Sequence, residues 1–334
     1  MTACLGLLAC WPLQAPDLRD AWGIRKVQEA KAVAIHRWQS HTGNIDEEGS
    51  WSSGVKASDW GITDEVWVDG VLSQRSLSSG LNQPGIAVKK FVVGRGFRGN
   101  IGGPGNPLIL GNGSSGRNYI VYRGSGTMYL MADGADWAEP IIVDSLNYRD
   151  ALHLLSDTTA DYYYIYVKSG KVICEPSCLF HDAAGTLVLA GQDANVEILG
   201  DAGGAPYQPQ IINMIQGTLD AGMREFGTSG ASSRYVHMAG GHMTLRNIEG
   251  LTAMYQGGGY IKLTQQVAIA SPPAGTPIFR LLGGTLDFSE LQNTWTPVGD
   301  FVGPDMLLRD GPLLSEEDFL TYMFDLRQDF PKGP

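Results

Sequence analysis

The sequence predicts an all-β protein, an irregular parallel β-helix of single strands wound into a solenoid. Three observations predict it. Glycine is abundant, 44 of 334 residues, about twice average usage. Charged residues are 18% against 43% hydrophobic, a balance that buries surface, whereas disordered chains show the reverse bias. A small residue or glycine, then glycine, then a short apolar run recurs along the chain. The glycines carry no Gly-X-Y period, which excludes collagen.

The N-terminal region, 1–49, is read as an apolar arm and a helix made for docking. Residues 2–13 are apolar, with Leu5, Leu8, Trp11 and Leu13. The stretch resembles the core of a signal peptide, but no Lys or Arg precedes it. It is too short to span a bilayer, so it is expected to lie against its own domain or a neighbouring subunit. Asp17 is a candidate N-cap. Ile24, Val27, Ala34, Ile35 and Trp38 then recur at helical spacing, which predicts a helix over 24–39.

Residues 50–99 are read as a small β region. Val66-Trp67-Val68 and Val71-Leu72 flank Asp69-Gly70, a hairpin signal. Phe91-Val92-Val93 precedes Gly94-Arg95-Gly96-Phe97-Arg98-Gly99, which has the glycine spacing of a dinucleotide-binding turn. That turn must open a helix. Asn100-Ile101-Gly102-Gly103-Pro104-Gly105 follows instead and cannot be helical, so the stretch is read as a loop entering the solenoid.

The solenoid is expected over 100–296. Its runs are Ser125-Gly126-Thr127-Met128, Ser169-Gly170-Lys171-Val172, Ala184-Gly185-Thr186-Leu187, Gly240-Gly241-His242-Met243, Gly258-Gly259-Tyr260-Ile261 and Gly283-Gly284-Thr285-Leu286. Each opens a strand of four to six residues. Glycine at a corner permits the sharp bend that a branched residue resists. One rung cannot bury its apolar side alone, so rungs stack. The spacing is loose, 18 residues from Gly241 to Gly259 and 25 from Gly259 to Gly284, as in a solenoid with loops at its corners. A β-sandwich is the alternative. Residues 201–234 are read as a long excursion.

Residues 297–334 are read as an exit segment and a helix. Ser315-Glu316-Glu317-Asp318 resembles a capping box with Asp in place of Glu. Phe319, Leu320, Met323, Phe324 and Leu326 form an apolar stripe and Pro331 stops the helix. Phe319 and Met323 join Leu5, Leu8, Trp11, Leu13, Ile24, Val27 and Trp38 as candidate docking residues.

Chemistry-bearing motifs are few. A net charge of −11 excludes the basic field of a nucleic-acid binder. Cys174-Glu-Pro-Ser-Cys178-Leu-Phe-His181 resembles half a metal site. Zinc needs four ligands and no second pair stands at useful spacing, so no metal and no cofactor is expected. Asp193, Glu197, Glu249 and Asp287 are the acidic residues on expected rungs, and nothing in the sequence pairs them as glycoside hydrolysis requires. His153, His181, His237 and His242 stand outside any nucleophile motif. Tyr162 and Tyr164 lie in an aromatic strand that stacks sugars if exposed and supplies core if packed. No catalytic residue is assigned.

The layout of arm, helix, small β region and glycine-cornered stack, over roughly residues 1–300, resembles β-helical virion proteins of bacteriophages: capsid decorations, fibres and spikes. The resemblance rests on segments such as Gly240-Gly241-His242-Met243-Thr244-Leu245 and Gly283-Gly284-Thr285-Leu286-Asp287-Phe288. It implies a non-enzymatic homotrimer in the virion, whose partners are other virion proteins and copies of itself, with surface carbohydrate as a further ligand. The alternatives are a carbohydrate-active β-helix enzyme or adhesin, and a bacterial surface or pilus-tip protein, secreted or on the cell surface.

Overall fold

The computed structural model describes residues 33–83, 86–111, 119–133, 140–156, 162–180, 185–200, 209–222, 234–246, 251–264, 278–281, 283–287 and 300–301. The chain divides into two compact units, Met1–Val33 and Ala34–Pro334. The second is an all-β parallel solenoid.

Its strands are β1 Ile35–Arg37, β2 Glu65–Val68, β3 Lys90–Val93, β4 Leu108–Gly111, β5 Tyr119–Tyr122, β6 Met128–Asp133 and β7 Ile141–Asp144. Next come β8 Leu152–Ser156, β9 Tyr164–Cys174, β10 Thr186–Leu189, β11 Ala194–Ile198, β12 Ile211–Met214, β13 Thr218–Ala221 and β14 Arg234–Met238. The last are β15 His242–Leu245, β16 Leu251–Gln256, β17 Tyr260–Leu263, β18 Ile278–Leu281, β19 Thr285–Asp287 and β20 Asp300–Phe301. Every strand pairing is parallel.

Two ladders result. Sheet 1 holds β1, β2, β3, β5, β7, the first part of β9, β10, β12, β14, β16, β18 and β20. Sheet 2 holds β4, β6, β8, the second part of β9, β11, β13, β15, β17 and β19. Side chains in register stack rung on rung. In sheet 1 the column Val66, Phe91, Ile120, Ile141, Ile165, Leu187, Ile212, Val236 and Met254 points inward and is fully buried. In sheet 2 the inward column is Leu77, Ile101, Met128, Leu152, Val172, Val196, Leu219, Met243 and Ile261. These columns form one continuous core.

Glycine makes the corner between the sheets. Gly217, Gly241, Gly259 and Gly284 stack in register, all with positive φ. A Cβ on Gly259 would lie 2.7 Å from the Gly241 carbonyl oxygen and 2.6 Å from Met238 Cε. Both the backbone conformation and the neighbouring rung therefore demand glycine there. Five of the six expected runs lead into sheet 2, four of them from a positive-φ glycine: Gly170, Gly241, Gly259 and Gly284. The sixth, at Gly185, opens β10 in sheet 1 instead.

An aromatic cluster sits at the first rung. Trp38 and Trp51 meet edge to face at 5.0 Å, Trp51 and Trp60 at 4.7 Å, and His36 stacks on Trp60 at 5.6 Å. His36 takes the inward position of β1 and is fully buried. Its Nδ1 lies 2.6 Å from Ser53 Oγ and its Nε2 3.2 Å from Asp64 Oδ2, so the buried ring is satisfied.

Several expectations change. The helix expected over 24–39 fails at its end, because Ile35–Arg37 is a strand paired with Glu65, Val66 and Trp67. Ladder bonding overrides the helical spacing there; residues 24–32 lie outside the described residues. Asp69-Gly70 makes no hairpin. Gly70 has φ +76° and forms a corner, β2 pairs in parallel with β3, and Val71 is exposed. Aspartate-glycine supplies a left-handed residue, which a solenoid corner uses as well as a hairpin does. Sheet 1 runs unbroken from β1, so residues 50–99 share the ladder expected to start at 100. The excursion at 201–234 contains a complete rung, β12 and β13, whose corner reads Gln216-Gly217 rather than small-glycine. β20 continues the ladder beyond residue 296. Among the described residues there are short 3-10 turns at Glu48–Ser50 and Ala57–Asp59 and no α-helix. The C-terminal helix, Phe319 and Met323, like Leu5, Leu8, Trp11, Leu13, Ile24 and Val27, lie outside the described residues.

Candidate functional site

With the inner columns committed to the core, function is left to the two outer faces. Sheet 2 turns a polar face outward. Its outer column runs Tyr129, His153, Ile173, Glu197, Asp220, Thr244, Lys262 and Asp287, one residue per rung. Alternation along each strand puts these opposite the core.

At one end, the Tyr129 and His153 rings stack at 4.1 Å and 14°. His153 Nδ1 donates to Glu175 Oε1 at 2.6 Å, and its Nε2 has no hydrogen-bond partner among the described residues. Burial raises the Tyr129 pKa, and the charges of Asp150 and Glu175 add to the rise. Further along, Lys171 Nζ reaches Glu197 Oε2 at 2.5 Å, and the Tyr260 hydroxyl donates to Asp287. Glu197 and Asp220 are direct register partners on adjacent rungs, a pairing invisible in the sequence because 23 residues separate them. Asp193 sits at the corner, where its carbonyl accepts from Gly170 N–H. Glu249 and His181 lie outside the described residues.

A charged cluster marks the edge of sheet 1. Asp144 accepts from Arg95 at 2.7 Å and from Ser169 Oγ at 3.1 Å, with Lys168 Nζ at 3.7 Å. Burial by itself raises the Asp144 pKa. The Arg95 hydrogen bond, the Lys168 charge and the Ser169 hydroxyl outweigh it and hold the carboxyl below its usual range.

Sheet 1 turns an apolar face outward. Val92, Val121, Ile142, Tyr166, Val188 and Asn213 share one outer register position and are between 1% and 8% exposed. Ile142, Tyr166 and Val188 form a second hydrophobic cluster, separate from the core, with Tyr119, Ala190 and Ile215. Toward the first rung the face becomes aromatic and cationic: Arg37 and Lys90 each lie 5.5 Å from the Trp67 ring centroid.

The candidate residues distribute as follows. Trp38 is fully enclosed by its own chain and its Nε1–H donates to the Arg75 carbonyl at 2.8 Å. It therefore offers no surface for docking. Tyr162 is fully buried; its hydroxyl donates to the Leu155 carbonyl at 2.6 Å and accepts from Ala132 N–H at 3.2 Å. Tyr162 is core with a satisfied polar tip and no sugar platform. Tyr164 is half-buried on the outer side of β9. Cys174 and Cys178 are buried free thiols. The sequence reading missed the His153–Glu175 pair, because 22 residues separate its members and only the rung register joins them.

Compared with known protein families, with curated proteins and with solved structures, the chain matches none of them.

Proposed function

We propose that this protein is a structural component of a virus particle, a capsid decoration, fibre or spike, that docks through its N-terminal region and projects the solenoid. Its partners are other virion proteins and copies of itself in a homotrimer, and its place is the particle. The observation that supports this reading best is the internal pairing of the outer polar face. Glu175, Glu197 and Asp287 each bond a neighbour on an adjacent rung. Such a surface stiffens the stack of rungs and leaves few groups to react.

The test is a chain lacking residues 1–33, a cut at the boundary between the two compact units. It should keep its β circular dichroism and lose association with particles. A truncated chain that still decorates particles would falsify the docking role.

One observation favours a second reading, a carbohydrate-active enzyme. Glu197 and Asp220 stand on adjacent strands, about 4.8 Å apart at the backbone. Retaining glycosidases hold their carboxyls about 5–5.5 Å apart. Glu197→Gln and Asp220→Asn should then abolish release of reducing ends from surface polysaccharide. Equal release by wild type and variants removes this reading.

A further inference from the structure

Positive charge gathers at one corner of a chain whose net charge is −11. On four successive rungs the inward residues Val93, Tyr122, Val143 and Val167 are in register. Each is followed within two residues by a charged one: Arg95, Arg123, Asp144 and Lys168. The three cations converge on one atom. Asp144 Oδ2 lies 2.7 Å from Arg95 Nη2, 3.7 Å from Lys168 Nζ and 3.9 Å from Arg123 Nε. The other carboxylate oxygen accepts from Ser169 Oγ at 3.1 Å. Among the described residues neither Arg95 nor Lys168 has a second acidic partner within ion-pair distance. The pair on the first two rungs differs, because Arg37 meets Asp69 one to one.

The two outer cations keep donors for a ligand. The Arg95 and Lys168 side chains are 64% and 55% exposed, whereas Asp144 is 12% exposed. A guanidinium carries five N–H donors and an ammonium three. Asp144 takes one from Arg95, and at 3.7 Å Lys168 donates no hydrogen bond to it. The cations also repel one another. Burial lowers the Arg123 pKa; the Asp144 charge opposes the fall and the Arg95 charge deepens it. An incoming anion relieves that repulsion.

The geometry points to an oxyanion site at this corner, where Arg95 and Lys168 take the carboxylate, sulfate or phosphate groups of an acidic polysaccharide. Arginine binds such groups through paired N–H donors and lysine as a point charge. From the Arg95 rung to the Lys168 rung is three steps, about 14 Å. A single small anion meets one end of that row, whereas a chain with repeated anionic groups meets both. A nucleic acid is a poorer fit, because its phosphates call for a broad basic field and this row stands alone on an acidic chain. Asp144 holds the cations in place between visits of the ligand and competes with it for them. The site does not depend on the virion reading.

The test passes the full chain over immobilised dextran sulfate at low salt, with neutral dextran and double-stranded DNA as parallel surfaces. Wild type should bind dextran sulfate and leave neutral dextran. Arg95→Gln with Lys168→Gln should lose about tenfold in affinity while the β circular dichroism is kept. Arg75→Gln with Lys89→Gln removes the same charge from other exposed residues and should lose about twofold or less. Equal losses in the two double variants, or no binding by wild type, overturn the site. Asp144→Asn has the opposite sign: it removes the competing carboxylate and should tighten binding about threefold. Weaker or unchanged binding by this variant in its folded state counts against the site. Inorganic sulfate, matched in ionic strength to a chloride control, should displace the polymer only weakly. Displacement as complete as that by free dextran sulfate assigns the corner to a small anion and overturns the polysaccharide. Tighter binding to DNA than to dextran sulfate overturns it as well.

Discussion

Sheet 1 and sheet 2 wrap the same core and differ in what they turn outward. Sheet 1 shows Val121, Ile142 and Val188, all buried. Sheet 2 shows Glu197, Asp220 and Lys262 at the equivalent outer position. The inner columns make the solenoid; they are apolar from rung to rung though their sizes vary from valine to phenylalanine. The outer columns separate a packing surface from a solvated one. A β-solenoid thus fixes its fold with half of its strand residues and leaves the other half free for interaction.

The largest expected effect lies where both sheets depend on one corner. Gly259→Val combines a strained positive φ with contact against the Gly241 carbonyl. It should cost about 3 kcal/mol or more, read as a lower urea midpoint. A midpoint equal to wild type would mean the corner column is not rigid.

Ile142 and Ile173 allow the same substitution on both outer faces. Ile142→Thr places a hydroxyl in a buried apolar cluster and should cost about 2 kcal/mol. Ile173→Thr, half-buried on the polar face, should cost no more than about 0.5 kcal/mol. Equal losses would erase the distinction between the faces.

His153→Ala removes the stack on Tyr129 and the bond to Glu175. A loss of about 1 kcal/mol is expected, with the loss shared by Glu175→Gln in a double-mutant cycle. Additive losses would show that the two residues act separately.

The pH dependence sharpens the comparison at the corner. Asp144 has a lowered pKa in the folded chain, so its contribution is fully present above the unfolded value of about 3.9. It is lost as the pH falls from there through the lowered folded value. Asp144→Asn should therefore weaken the protein at pH 7, by about 1 kcal/mol because Arg95 is solvent-exposed. The deficit should shrink as the pH falls below about 4. A deficit that stays constant into acid would rule out the ion cluster as its cause. The smallest effect belongs to Lys171→Ala on the polar face, about 0.5 kcal/mol or less, measured by the same denaturation.

Local sequence carried the rungs. Gly241-His-Met-Thr-Leu and Gly259-Tyr-Ile-Lys-Leu specify a corner and an alternating strand, and both are found where the spacing put them. A left-handed corner that only glycine fits, followed by period-two alternation, is a local physical requirement, and local requirements are legible in a chain. The β13 rung is not legible in the sequence because its corner, Gln216-Gly217, lacks the small residue. The pairings of the candidate site were not legible. Glu197 meets Asp220, and His153 meets Glu175, only through a register set by the number of residues in each turn.

Composition and glycine spacing by themselves determined that this chain coils into stacked β rungs with a continuous core. The tertiary structure decided where the stack begins, that Trp38 and Tyr162 point into it, and which outer face is covered. The reason is the same in each case. Ile141-Ile142-Val143 and Leu187-Val188-Leu189 are apolar on both sides of the strand. Their sequence cannot say which side meets the core and which meets a cover; stacking against neighbouring rungs assigns Ile142 and Val188 to the outside.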